Sequence, residues 1–313
     1  MTARSATRDL AEHVLFRVGT GVLAVLPGRT PQRLGRGLAR LFLRGSAARR
    51  RILFENLAAA YPEKSPEEIE RIGWASAEWI GEAFVEFLEV ADLSEEDVRS
   101  RIRISGEENL RAARARGKGV FLLSAHIGSW ELGAIRAGLL GEPIAPVVRP
   151  LDNPRLEREL ARRRTRFGNR LIAKRDAARD ILRALAKNET VAILVDQNVL
   201  AREAVFVPFF GRLAATTPAL ALLQLKTDAV VVPVFTWPEG GGRYRLEFET
   251  PILAGEFDGL PRAEAVRRAT ARYMEVTEAA VRRAPEAWLW MHNRWRTRPV
   301  EAVSKQEAGI PNT

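Results

Sequence analysis

The chain has 313 residues, 46% hydrophobic and 28% charged, enough for one large domain or two modest ones and too apolar for wholesale disorder. It has no cysteine and three histidines (His13, His126, His292), which excludes disulfide scaffolds, thiolate metal sites and cysteine nucleophiles and argues against a histidine-rich metal centre. Lys and Arg number 49 against 39 Asp and Glu, a net charge of +10, and residues 1–61 hold eleven arginines against three acids. A basic end on a nearly neutral body suits an anionic partner, either membrane headgroups or nucleic-acid phosphate.

Between Leu10 and Leu26 apolar residues recur at helical spacing, interrupted by His13 and Arg17 and ended by Pro27-Gly28. No stretch reaches the roughly 18–20 uninterrupted apolar residues of a spanning helix, and no small-residue cleavage site follows. A second amphipathic segment, Pro31–Leu43, sets Leu34, Leu38, Leu41 and Phe42 beside Arg33, Arg36, Arg40 and Arg44. This composition describes helices lying in a membrane interface with guanidinium groups on anionic lipid. A packed helical hairpin with a solvated basic face is the plainer alternative. Nucleic acid fits less well, because the basic segments lack interleaved stacking aromatics.

Residues 47–60 and 65–90 read as helices, the second opened by Ser65-Pro66-Glu67-Glu68. From about residue 101 the period changes. Short apolar runs at Gly119–Ala125, Pro143–Val148, Thr190–Val195 and Ala229–Phe235 alternate with helical stretches at Trp130–Leu140, Pro154–Phe167, Ala177–Lys187 and Thr217–Lys226. This alternation predicts an α/β fold whose central sheet is mostly parallel and flanked by helices. Arg243–Glu249 alternates cleanly and reads as an antiparallel or edge strand; a long helix at Arg262–Arg283 and an aromatic stretch at Trp288–Trp295 follow. The expected organisation is an N-terminal arm over 1–46, an α/β domain over 47–300 and a polar tail over 301–313.

The most informative segment is Phe121-Leu-Leu-Ser-Ala-His126-Ile-Gly-Ser-Trp-Glu131. A buried strand ends at His126, and Gly128-Ser129 opens a helix carrying Glu131. A histidine at the C-terminal edge of an open α/β sheet faces the crevice where such sheets bind ligands. Glu131 can reach back to the imidazole, fix its tautomer and raise the basicity of its other nitrogen. That would be the base and orienter of a triad without a protein nucleophile, so a substrate hydroxyl would attack. A structural histidine beside a helix-start acid is the competing reading of the same spacing.

The His126-x4-Glu131 motif resembles the signature of the lipid A biosynthesis acyltransferases, the lauroyl/myristoyl transferases of Gram-negative bacteria. Other blocks resemble the family in the family's order: Arg49-Arg-Arg-Ile-Leu-Phe-Glu-Asn-Leu57 with Tyr61-Pro62, Val148-Arg149-Pro-Leu-Asp-Asn-Pro154, Leu194-Val-Asp196-Gln197-Asn198, Val207-Pro-Phe-Phe-Gly211 and Trp288-Leu-Trp-Met-His292-Asn-Arg294-Trp295. The resemblance implies transfer of a fatty acyl chain from acyl carrier protein, or acyl-CoA, to a hydroxyl of a glycolipid at the cytoplasmic face of the inner membrane, without metal or redox cofactor. It implies His126 as general base, with Glu131 the preferred partner and Asp196 competing for that role. Arg149 would hold a phosphate or steady an oxyanion. Gln197, Asn198 and Arg294 are further candidate substrate contacts, although a turn for the first two and a core aromatic cluster for the last suit them as well. A phosphatidylinositol mannoside, a lysophospholipid or an aminolipid are alternative acceptors. A non-catalytic membrane tether is the alternative from another class.

Overall fold

Runs of valine, isoleucine and leucine form strands covered on both faces, because each alternate side chain finds a different apolar layer. The computed structural model of the chain describes residues 5–299 apart from 142 and 176; the tail expected over 301–313 lies outside the described residues. Strands β1 (Ile102–Ser105), β2 (Val120–Ser124), β3 (Ile144–Val148), β4 (Ile172–Ala173), β5 (Thr190–Leu194), β8 (Val230–Gly240) and β9 (Arg243–Phe248) form one sheet in the order β1-β9-β8-β2-β5-β3-β4. Every pairing is parallel except β8 with β9. The segment at 243–249 is therefore antiparallel to its predecessor, but β1 takes the edge beyond it. A separate antiparallel hairpin joins β6 (Val205–Phe209) to β7 (Arg212–Thr216).

The helices are α1 (Ala6–Ala24), α2 (Thr30–Gly45), α3 (Ala47–Ala60), α4 (Pro66–Glu89), α5 (Glu95–Arg101), α6 (Glu107–Ala115), α7 (Trp130–Gly138), α8 (Pro154–Thr165), α9 (Ala177–Ala186), α10 (Ala219–Thr227) and α11 (Arg262–Arg283). One core gathers Phe121, Leu123, Val191 and Val231 with α3, α9, α10, α11 and the C-terminal tryptophans. The other gathers Val120, Leu122, Val230 and Val232 with α6, α7 and Phe87 and Leu88 of α4. Helix α4 starts with a reciprocal cap: Ser65 Oγ accepts from the Glu68 N–H at 3.2 Å, and the Glu68 carboxylate accepts from the Ser65 N–H at 3.0 Å.

Helix α2 crosses α4 at Gly35 and Gly81, where the backbones approach so closely that a Cβ on Gly35 would sit 2.5 Å from the Gly81 carbonyl oxygen. Around this crossing Arg36 reaches Glu78 at 2.9 Å and Glu82 at 3.3 Å; Arg40 also pairs with Glu78, and Arg29 with Glu82. These arginines, expected on lipid headgroups, are thus held by the acids of α4. The opposite side of α2 leaves Leu34, Leu38, Leu41 and Phe42 exposed. Helix α1 lies on α8, with Phe16 and Leu23 packed inward and Arg17 3.6 Å from Glu159, while Leu15, Val18 and Val25 face outward. Among the described residues no helix is long and apolar enough to cross a membrane.

Candidate active site

Strands β2 and β5 are neighbours in a register that sets Ser124 opposite Leu194. Two residues further, the chain brings His126 opposite Asp196. The imidazole Nδ1 lies 2.8 Å from Asp196 Oδ1, and the His126 backbone N–H donates to Asp196 Oδ2 at 2.9 Å. The indole N–H of Trp288 donates to the same Oδ2 at 2.8 Å. Asp196 is buried (2% exposed), so its carboxylate spends its acceptor capacity on three fixed donors. Burial alone would raise its pKa, but the charge and hydrogen bonds of His126, with Trp288, hold it well below the usual carboxylate range. For His126 burial disfavours the imidazolium; the Asp196 charge and hydrogen bond, with the Glu131 charge behind them, outweigh this and raise its pKa.

The turn between His126 and α7 is fixed by Gly128. Its φ is +56°, and a Cβ there would stand 1.8 Å from the Thr236 carbonyl oxygen, so the left-handed conformation and the close approach to β8 both require glycine. Its N–H donates to Ala287 O at 2.9 Å, tying the turn to the segment that carries Trp288. Trp130, the first residue of α7, meets the imidazole edge-on with centroids 5.2 Å apart.

The structure corrects the expectation for Glu131. Its carboxylate does not hydrogen-bond the imidazole; it accepts from Arg164 Nη2 at 2.6 Å and Nε at 3.0 Å. Glu131 projects from the first turn of α7 toward Arg164 of α8, although its neighbour Trp130 touches the ring. Its influence on His126 is the electrostatic one already described. With Nδ1 committed to Asp196, the imidazole turns Nε2 toward the Gln197 side-chain nitrogen at 3.3 Å. Gln197, named as a candidate substrate contact or a turn residue, thus lies beside Nε2.

Asn198 lines the cavity beside His126 with its side chain partly engaged, whereas Arg294 is fully buried. The Asn198 amide donates to Thr297 Oγ1 at 3.0 Å and accepts from the Thr297 N–H at 3.1 Å, while its backbone N–H donates to His292 Nε2 at 2.9 Å. His292 is consequently neutral on that nitrogen, and burial lowers its pKa. Arg294 has no exposed surface; it donates to Ala215 O at 2.7 Å and to Thr216 Oγ1, and lies over Phe209. Burial, opposed by the Asp196 charge, lowers its pKa to about 10. It seals the core between β7 and the tryptophan block.

His126 opens onto a cavity of about 970 Å³ that wraps around the C-terminal edge of the sheet. On one side of the sheet its wall is formed by Leu122, Ala134, Ile135, Ile144, Pro146 and Val234; on the other by Val147, Ala178, Ile181, Ile193 and Leu223. Arg149 and Lys174 are exposed in its wall, and neither pairs with an acid among the described residues. Sequence reasoning missed Trp288 as a partner of Asp196, Arg164 as the holder of Glu131, and Lys174. Only Trp288 lay in a segment already singled out, and nothing local to it announced a carboxylate partner.

A sequence model of the bacterial lipid A biosynthesis acyltransferases matches residues 5–297. The chain belongs to that family. It is 31% identical to the lipid A biosynthesis lauroyltransferase of Escherichia coli K12, over 92% of this chain and 93% of that one. With the palmitoleoyltransferase of the same organism it shares 32% identity over 84% of this chain and 83% of the relative. The myristoyltransferase is 29% identical over 85% and 80%, respectively. This chain, as a member, is an acyltransferase.

Proposed function

We propose that the protein transfers a fatty acyl chain from a thioester carrier, acyl carrier protein in the first instance, to a hydroxyl of a lipid A precursor. The observation that carries this reading is the His126–Asp196 pair, its Nε2 turned into a large apolar cavity. Asp196 accepts the Nδ1–H and so fixes the tautomer in which Nε2 carries a lone pair. Nε2 takes the proton of the acceptor hydroxyl as its oxygen attacks the thioester carbonyl. The tetrahedral intermediate collapses with cleavage of the C–S bond, and the imidazolium returns the proton to the departing thiolate. Asp196 stabilises the imidazolium between these steps and is not protonated itself. Gln197 lies where the hydroxyl must enter, and its 3.3 Å contact is weak enough to be exchanged for it.

The apolar walls suit the acyl chain. Arg149 and Lys174 supply positive charge for the phosphate of a lipid A precursor, Arg149 through a bidentate fork. The chemistry needs no cofactor beyond the thioester. Attachment to the inner membrane from its cytoplasmic face would use the exposed stripe Leu34, Leu38, Leu41 and Phe42 together with the outer side of α1.

The test is a mass spectrum of products from detergent-solubilised protein given acyl carrier protein thioesters and a tetra-acylated, Kdo-bearing lipid A precursor. The wild type should add one acyl chain, and His126→Ala should lose nearly all turnover. No gain with either protein would sink this acceptor and direct the search to mannolipids and lysophospholipids with acyl-CoA. Equal gain with both would show that His126 is not the base.

A further inference from the structure

A second cleft, of about 670 Å³, opens on the helical layer and shares no lining residue with the catalytic cavity. Its volume falls within the roughly 300–1,000 Å³ of ligand pockets. Its floor is apolar and aromatic, formed by Phe54, Ala58, Ile69 and Trp74; Arg44, Arg50 and Lys64 stand around it. The charges differ from those of the neighbouring arginines. Arg29, Arg36 and Arg40 are taken by acids of α4, whereas none of Arg44, Arg50 and Lys64 pairs with a carboxylate among the described residues. The one acid in the lining, Glu70, already accepts from the Trp74 indole N–H at 3.2 Å. Tyr61 also lines the cleft with its ring; it is 4% exposed, and the Lys64 ammonium stands 5.5 Å from the ring centroid. Arg44 lies in the last turn of α2, directly after the exposed Leu41 and Phe42, so the cleft continues the apolar stripe.

We propose that this cleft is a second lipid site that holds one anionic phospholipid, its phosphate on Arg44, Arg50 and Lys64 and one acyl chain over Phe54 and Trp74. The cations supply charge-assisted hydrogen bonds to the phosphate. The aromatic floor removes the chain from water. Such a lipid would fasten the end of α2 to the leaflet independently of the catalytic cavity.

The full-length protein, released from nanodiscs of equal phosphatidylglycerol and phosphatidylcholine into a native mass spectrometer, should retain one phosphatidylglycerol per chain at least tenfold over phosphatidylcholine. Ala58→Trp fills the cleft from an exposed helix position, and Arg44→Glu with Lys64→Glu reverses its rim; each should lower that adduct at least tenfold. The rim variant alters exposed or half-exposed side chains, so it keeps the test open should the tryptophan disturb folding. An adduct that survives both changes lies elsewhere, the catalytic cavity included, and overturns the proposal. Equal retention of the two lipids would mean apolar contact without headgroup recognition and would overturn it too. So would displacement of the adduct by millimolar inorganic phosphate, which would reduce the cleft to an anion site.

Discussion

Two regions of this molecule set basic side chains against carboxylates, with opposite consequences. At the sheet edge one buried acid, Asp196, receives three donors and leaves the far nitrogen of His126 only a 3.3 Å contact with the Gln197 side chain among the described residues. On the helical layer Glu78 and Glu82 are met by Arg29, Arg36 and Arg40, so that two of the four arginines of α2 are consumed internally. Whether a charged group is available for work depends on which element packs across from it. Composition alone reports neither outcome.

The largest effect should come from removing the charge at the sheet edge. Asp196→Asn keeps the shape but lets the amide donate to Nδ1, which favours the tautomer with the proton on Nε2, the wrong one for a base. Turnover should fall by about 10²–10⁴-fold, the usual span of a general-base contribution. The pH profile carries a second signature. As the proposed base, wild-type His126 would have to be neutral, and its pKa is raised, so activity should rise with pH through a midpoint above the ordinary 6.5. Without the Asp196 charge burial becomes the dominant influence and lowers that pKa, so the acid limb should move to lower pH. A limb that stayed in place would mean that another group sets it.

A smaller effect separates Glu131 from Asp196. Glu131 and Arg164 form a doubly hydrogen-bonded, mostly buried pair in the cavity wall. Hydrogen bonds to charged groups contribute about 1.5–3 kcal/mol, so Glu131→Gln and Arg164→Met should each cost stability of that order in denaturant melts. The double variant should cost no more than either alone, because both remove one interaction. Additive losses would show that the two side chains act separately. The preference for Glu131 as the imidazole's partner came from nearness in sequence, whereas its carboxylate is taken by Arg164 of α8, a contact between helices that local spacing does not report. The His126–Asp196 meeting depends on β2 and β5 being adjacent and in register, a non-local fact. Both residues were legible as strand-end groups, and Asp196 as a competing partner of His126; which of the two acids makes the contact was not. The same holds for the fold. The strand–helix alternation from 119 onward is strong because each strand is buried on both faces. Strands β1 and β4 escaped reading because four and two residues carry too little periodicity, and the β6–β7 hairpin because Pro208 interrupts its pattern.

The last prediction concerns the helical layer and runs against simple charge counting. Glu78 holds Arg36 and Arg40 at the α2–α4 crossing, on a helix whose other side exposes Leu34, Leu38, Leu41 and Phe42. Glu78→Gln removes an acid, frees the Arg40 guanidinium, whose side chain is 42% exposed, and leaves Arg36 only its contact with Glu82 at 3.3 Å. A basic side chain near an anionic leaflet contributes about 1 kcal/mol, which is roughly fivefold in partitioning. Glu78→Gln should therefore bind phosphatidylglycerol-containing vesicles about fivefold more tightly than wild type in a sedimentation assay. The gain should disappear at high salt, where exposed charges are screened. An unchanged or weaker partition would mean that this side of the layer does not face the membrane, and that the exposed leucines of α2 serve another contact.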